Sequence, residues 1–245
     1  MKNILFGVSY LGTNYAGWQK QNNALSIQEV IENAMQELGI KNAEIFASGR
    51  TDAGVHAQEQ CFNAKINFNN INNLKIALNS KLPEDIRILW TKEVPNDFHA
   101  RFSAHKKTYV YRLKIDDTES PFDFQYTTYL NYNLDYEKME KASQCFVGQH
   151  DFQAFCSANT TTPDFIRTIY YLNITKTNNL YEFEICGNGF LYNMVRIIVG
   201  TLVDVGRGKI NENDIKNIFE SKNRQKAGKT MPAKGLILKK VDYSL

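Results

Sequence analysis

Apolar and polar positions along this chain follow two rhythms, and each change of rhythm marks an element. Residues 2–10 form a short, mostly apolar run that predicts a strand. Ile27, Val30, Ile31, Ala34 and Leu38 then recur at helical spacing. Ser26-Ile27-Gln28-Glu29 reads as a capping box that starts this helix, and Gly39 stops it. Ile45-Phe46-Ala47 predicts a short strand. Phe62, Ala64, Ile66 and Phe68 alternate with Asn63, Lys65 and Asn67, the mark of a strand with one face buried and one in water. A helix near 71–82 and a strand over 86–94 complete a β-α-β-loop-β-α-β first half.

The second half mixes elements in the same way. Strands are predicted over 108–115, 167–176, 180–186 and 235–243, and helices near 135–146, 190–205 and 213–221. Both halves therefore point to an α+β fold built of two ferredoxin-like α/β units. The boundary falls near Ser103, giving an N-terminal domain over 1–103 and a C-terminal one over 104–245, with no low-complexity linker or sequence repeat.

A chain of 245 residues can bury a sizeable core without disulfide or metal staples. Cys61, Cys145, Cys156 and Cys186 lie far apart with no C-x-x-C pair, which argues against a zinc knuckle and fits a reducing cytosol. Met1-Lys2-Asn3 runs directly into the first strand, so no leader is expected. The net charge of +3 says little about partners, but its distribution says more. Lys222, Arg224, Lys226, Lys229, Lys234, Lys239 and Lys240 form one basic stretch without an acid. Arg101, Lys106, Lys107, Arg112 and Lys114 form another, interleaved with Phe98, Phe102, Tyr109 and Tyr111, while Asp116, Asp117, Glu119 and Asp123 gather separately. Basic stretches with interleaved aromatics suit a nucleic-acid backbone.

Ser48-Gly49-Arg50-Thr51-Asp52-Ala53-Gly54-Val55-His56-Ala57 is the most informative run, a carboxylate between glycines and beside a guanidinium. An aspartate in such a turn usually bonds nearby backbone N–H groups. It can also attack electrophilic carbon, as glycosidase carboxylates do, although most glycosidases need a second carboxylate and no comparable Asp or Glu stands out here. Arg196 is the only charged residue between Ile185 and Val203. A guanidinium on so apolar a helix either snorkels to water or needs an anionic partner, and Gly200, one turn on, leaves room for something to pack against that face. Arg196, Asn188, Asn193 and Thr201 interrupt the stretch too often for a membrane span.

The decamer around Asp52 closely resembles the catalytic-aspartate motif of the tRNA pseudouridine synthase A family. The resemblance runs nearly end to end. Gly17-Trp18-Gln19-Lys20-Gln21 with Ser26-Ile27-Gln28 resembles the family's N-terminal signature, and Phe98-His99-Ala100-Arg101-Phe102-Ser103-Ala104 its tRNA-contacting segment. Asn193-Met194-Val195-Arg196 with Val199-Gly200 resembles its arginine helix, and Ala233-Lys234-Gly235-Leu236-Ile237-Leu238 its last motif. Leu11 departs from the family, which usually has an acid there, and residues 157–167, including Arg167, fit its tRNA-contacting loop only loosely.

The resemblance implies a cytoplasmic isomerase that converts uridines 38, 39 and 40 of the tRNA anticodon stem-loop to pseudouridine without a cofactor or metal. Asp52 would be the nucleophile, with Arg196 pairing with it and holding it ionised. Tyr109 would pack against the target base, Arg50 would occupy the space the flipped base leaves, and Leu236 would line the pocket. Phe98, His99, Ala100, Arg101, Phe102 and Arg167 would touch tRNA, and His56 would be structural. The implied architecture is the pseudouridine synthase fold, two domains sharing a central mixed, mainly antiparallel sheet with a basic cleft between them, assembled as a homodimer without membrane contact. Read without the resemblance, the residues also admit a non-catalytic RNA-binding protein or chaperone in which Asp52 is structural. An aspartic-protease half-site at Asp52-Ala53-Gly54 fits less well, because it leaves the basic stretches unexplained.

Overall fold

The computed structural model describes residues 1–68, 71–158 and 162–244. In chain order the elements are β1 (Lys2–Tyr10), α1 (Ile27–Glu37), β2 (Ile45–Ala47), β3 (His56–Ile66), α2 (Ile71–Asn79), β4 (Ile86–Val94) and β5 (Ala104–Ile115). There follow β6 (Thr128–Leu130), α3 (Tyr136–Ser143), β7 (Gly148–Asp151), β8 (Ile166–Thr177), β9 (Leu180–Gly187), α4 (Met194–Gly206), α5 (Ile215–Ser221) and β10 (Leu236–Tyr243). The fold is α+β, with β1, β2, β3, β4, β7, β8 and β9 paired antiparallel and β6 parallel to β5.

The chain divides into two compact units, 1–105 with 238–245, and 106–237. The last strand thus returns the chain to the first unit, whereas the sequence reading keeps it with the second half. Strand partners are chosen by hydrogen-bonding edges, which chain order does not reveal.

In the first unit the strands lie in the order β4-β1-β3, with β2 and β10 also against β3. The order β4-β1-β3-β2, antiparallel throughout, is the ferredoxin-like arrangement with its second strand cut to three residues. Ser26 caps α1 by accepting the Glu29 backbone N–H, and the helix ends where Gly39 N–H donates to Gln36 O and Ile40 N–H to Met35 O. Ile27, Ile31, Ala34 and Met35 are the face it buries. Phe6 and Phe62 are paired in register across β1 and β3 and stack with centroids 4.6 Å apart.

β3 departs from the expected alternation. It begins at His56, and residues 60–64 are all buried. Asn63 is on the face expected to meet water, but residues 95–103 cover that face. Its amide donates to Asn3 Oδ1 and its carbonyl oxygen accepts from Ala100 N–H, so the buried polar side chain is satisfied.

In the second unit β5, β9, β8 and β7 are neighbours in that order. α4 starts at Met194, four residues later than its apolar pattern suggests. Asn193 adopts a left-handed conformation (φ 60°) that begins the helix there and leaves Phe190 outside it. β6 and β7 are too short to show a period and were not anticipated. Among the described residues, no helix is long and apolar enough to cross a membrane.

Candidate active site

Asp52 lies in the first unit, in the loop between β2 and β3. Val55 N–H donates to Asp52 O, closing a turn whose third residue, Gly54, has φ +77°. A side chain is disfavoured there, which explains the glycine. The backbone just before Asp52 is clamped from several directions. Trp18 N–H donates to Thr51 O at 3.0 Å, the Tyr10 and Thr51 hydroxyls are 2.8 Å apart, and Gln60 Nε2 donates to Gly49 O at 2.8 Å. Gly17 stands so close beneath that a Cβ on it would lie 2.5 Å from Thr51 O. The Gly17-Trp18 signature and the Asp52 decamer are therefore one piece of structure. Thr51 is buried, Asp52 half-buried and Arg50 exposed, so the loop is fixed from inside through Thr51. His56 is buried and its Nδ1 accepts from Gly12 N–H at 3.0 Å, a structural use of the ring.

The segment 98–103 is the other expected functional stretch of the first unit. Ala100 is fully buried, with its N–H on Asn63 Oδ1 and its carbonyl accepting from the Tyr243 hydroxyl, and so anchors its neighbours. Phe98 packs on Tyr243 with centroids 5.3 Å apart. Around the anchor, His99 lies 4.8 Å from Phe46 and 4.5 Å from Phe102, and the Arg101 guanidinium sits 5.7 Å from the Phe102 ring. Phe102 is 76% exposed. An exposed aromatic beside a cation is chemically suited to stacking on an unstacked base.

Tyr109, Arg167, Arg196 and Leu236 fall in the second unit. Tyr109 is half-buried on β5 and meets Phe190 edge to face at 5.1 Å. Tyr111, two residues on, is fully buried, with its hydroxyl 2.6 Å from Thr128 Oγ1 and donating to Pro232 O at 2.9 Å. Burial pushes that phenol well above its ordinary range. Gly235 fits against Tyr111 and Thr128, and the buried Leu236 follows directly. On α4, Arg196 is half-buried, with Nε donating to Met231 O at 2.6 Å and Nη1 to Asn193 Oδ1 at 2.7 Å. What fills the space expected at Gly200 is the chain itself, since a Cβ there would lie 1.8 Å from Lys229 O. Arg167 on β8 donates to Ile166 O at 2.6 Å and to Asp164 O at 3.2 Å. Residues 159–161 of the loosely matching loop lie outside the described residues.

The basic stretch over 222–240 is less available than its sequence suggests. Lys222 pairs with Asp151 at 2.7 Å, Lys234 with Glu119 at 3.0 Å and Lys240 with Asp242 at 2.8 Å. Arg224 donates to Gly228 O and Thr230 Oγ1, and burial lowers its pKa. Local acid-free sequence hid these partners because each acid comes from another element or lies just beyond the run. Among the described residues, no group of three His, Cys, Asp or Glu side chains could hold a metal ion.

A profile of the family described as "tRNA pseudouridine synthase" matches residues 7–103 and 142–244. The chain belongs to the tRNA pseudouridine synthase family. It is 45% identical to the "tRNA pseudouridine synthase A" of Clostridium kluyveri, over 99% of this chain and 100% of that one. Proteins of the same name from Thermoanaerobacter sp. and Clostridium acetobutylicum are 44% and 43% identical, each over 99% of this chain and 100% of its own. As a tRNA pseudouridine synthase the protein is an isomerase acting on tRNA. The matched blocks of this synthase hold the Asp52 loop, the 98–103 segment, the Arg196 helix and Gly235-Leu236, while Tyr109 lies between them.

Sequence reasoning missed the residues that hold these groups in place. Tyr10, Gln60, Met231 and Tyr243 look like ordinary strand or loop residues, and only the tertiary contacts mark them.

Proposed function

We propose that this synthase isomerises uridines 38, 39 and 40 of the tRNA anticodon stem-loop to pseudouridine, with Asp52 as the nucleophile. The observation that carries the reading is the state of the Asp52 loop, whose backbone is bound to buried partners up to Thr51 while the Asp52 side chain stays half-exposed. A nucleophile held in this way meets its target without first losing the freedom of a loose loop.

The carboxylate attacks a carbon of the target nucleotide. The bond from C1′ of the ribose to N1 of uracil breaks, the base turns, a bond from C1′ to C5 replaces it, and the bond to the carboxylate breaks again, which frees Asp52. C5 gives up its hydrogen to solvent and N1 gains one, so the composition is unchanged and nothing is oxidised. The opened intermediate must be kept from water, and the base must first leave its stack.

In this reading Arg196 pairs with the Asp52 carboxylate and keeps it ionised, while its bonds to Met231 and Asn193 set its direction. Tyr109 packs against the extruded base, Arg50 takes the vacated space, and Leu236 lines the pocket. His99, Arg101 and Phe102, seated on Ala100 and Phe98, touch the RNA, as does Arg167. The roles and the anticodon positions come from the family resemblance, as do the homodimer and the cytoplasmic setting; light scattering should return the mass of two chains.

The test is release of tritium from tRNA labelled at uridine C5. Wild-type protein with no additive is expected to release it, and Asp52→Asn to stop release while still binding tRNA. Equal release by the variant rules out the nucleophile. No release by wild type on undermodified tRNAs would favour RNA binding without turnover.

A further inference from the structure

A buried polar cluster in the first unit reaches beyond the clamp on the Asp52 loop. The Tyr243 hydroxyl donates to Ala100 O at 2.8 Å and lies close to the Ser48 and Cys61 side chains. Ser48 Oγ donates to Gln60 Oε1, which also accepts Cys61 N–H at 3.1 Å, and Gln60 Nε2 donates to Gly49 O at 2.8 Å. On the other side, Asn63 ties Ala100 N–H to Asn3, whose amide donates to Phe98 O at 3.0 Å and Pro95 O at 2.9 Å. Ser48, Gln60 and Ala100 have no exposed surface.

The two ends of this cluster are informative. Gly49 precedes Arg50 in the Asp52 loop, and Ala100 lies between His99 and Arg101. A satisfied polar network in a strand that could be apolar adds little net stability, but it fixes relative positions, because breaking any link leaves a buried group unpaired. Burial drives the Tyr243 phenol far above its ordinary range, so it stays protonated and remains a donor at any working pH. The Cys61 thiol is likewise pushed up to about 12, so it does not compete as a thiolate.

We propose that Tyr243 is a positioning residue whose hydroxyl fixes the 98–103 segment to the strands that also clamp the Asp52 loop, since β10 runs beside β3 and Gln60 of β3 holds Gly49 O, so that RNA held by the segment is presented to the loop. The inference rests on the proposed roles of those two stretches. Tyr243→Phe removes only the hydroxyl and leaves the ring against Phe98.

Hydrogen exchange on the variant should show amides of residues 98–103 opening about tenfold faster, with β1 and β4 unchanged, as expected for one lost buried hydrogen bond. At saturating tRNA, kcat for tritium release should fall about tenfold, with tRNA affinity held within about twofold. Exchange and turnover equal to wild type would overturn the proposal. So would faster exchange spread evenly over the whole first unit, which is the mark of lost stability alone. The exchange result does not depend on which residue is the nucleophile. Asp52→Asn assayed alongside tests that reading separately, so the two fail in different ways.

Discussion

The Asp52 loop and the Arg196 helix each carry a half-buried charged side chain, and they hold it by contrasting means. The loop is secured by hydrogen bonds between groups far apart in sequence, such as Trp18 N–H on Thr51 O and Gln60 Nε2 on Gly49 O. The helix is secured by volume. Ile197, Ile198, Val199, Leu202 and Val203 are fully buried, and Gly200 lies in backbone contact with residue 229. The loop should therefore be sensitive to single polar atoms and tolerant of outward side chains. The helix should be sensitive to a single methyl group, while its buried polar demand falls on Arg196 and on Thr201, whose Oγ1 accepts from Gly228 N–H.

Substitutions can break or sharpen that contrast. The largest effect belongs to Asp52→Asn, with single-turnover tritium release falling roughly a thousandfold or more because the proposed attacking group is gone. Gly200→Ala comes next. Its Cβ would sit 1.8 Å from Lys229 O, a backbone atom that cannot swing aside. A loss of about 3 kcal/mol in urea unfolding is expected, and a loss below about 1 kcal/mol would show that the helix is not held by volume.

Arg196→Ala should cost about a hundredfold in kcat/KM, and Arg50→Lys about fivefold, since the first removes a half-buried guanidinium and the second keeps an exposed charge. The reverse order would count against pairing of Arg196 with Asp52. The smallest effect is Gly54→Ala, which puts a Cβ at φ +77° in the Asp52 turn. It should cost about 1 kcal/mol and lower Tm by about 3 °C. If it lowers turnover by more than that stability loss explains, the turn sets the aim of Asp52 as well as its fold.

Legibility followed range. α1 was readable to its ends because the Ser26 cap, the apolar face and Gly39 lie within one short segment. The start of α4 was not, because apolar residues continue through Phe190 and Leu191 while the left-handed turn at Asn193 interrupts the helix. Asn63 looked solvent-facing because alternation reports a strand's two faces and cannot report what later covers one of them. Asp52 and Arg196 stood out as charges in unusual settings. Their neighbours did not: Tyr10 is 41 residues from Thr51, Met231 is 35 from Arg196 and Tyr243 is 143 from Ala100.

By itself, then, the sequence determined the α+β class, most element positions, the family and the charged residues on which the chemistry is proposed to turn. Caps, periods and motifs are short-range patterns that a linear reading can hold. Only the tertiary structure decided which unit receives the last strand, how 222–240 spends its lysines, and which buried groups clamp Gly49, Thr51 and Ala100. Those outcomes depend on strand register and on which surfaces come to cover one another. Residues distant in the chain then become hydrogen-bond partners, and no local pattern encodes such a choice.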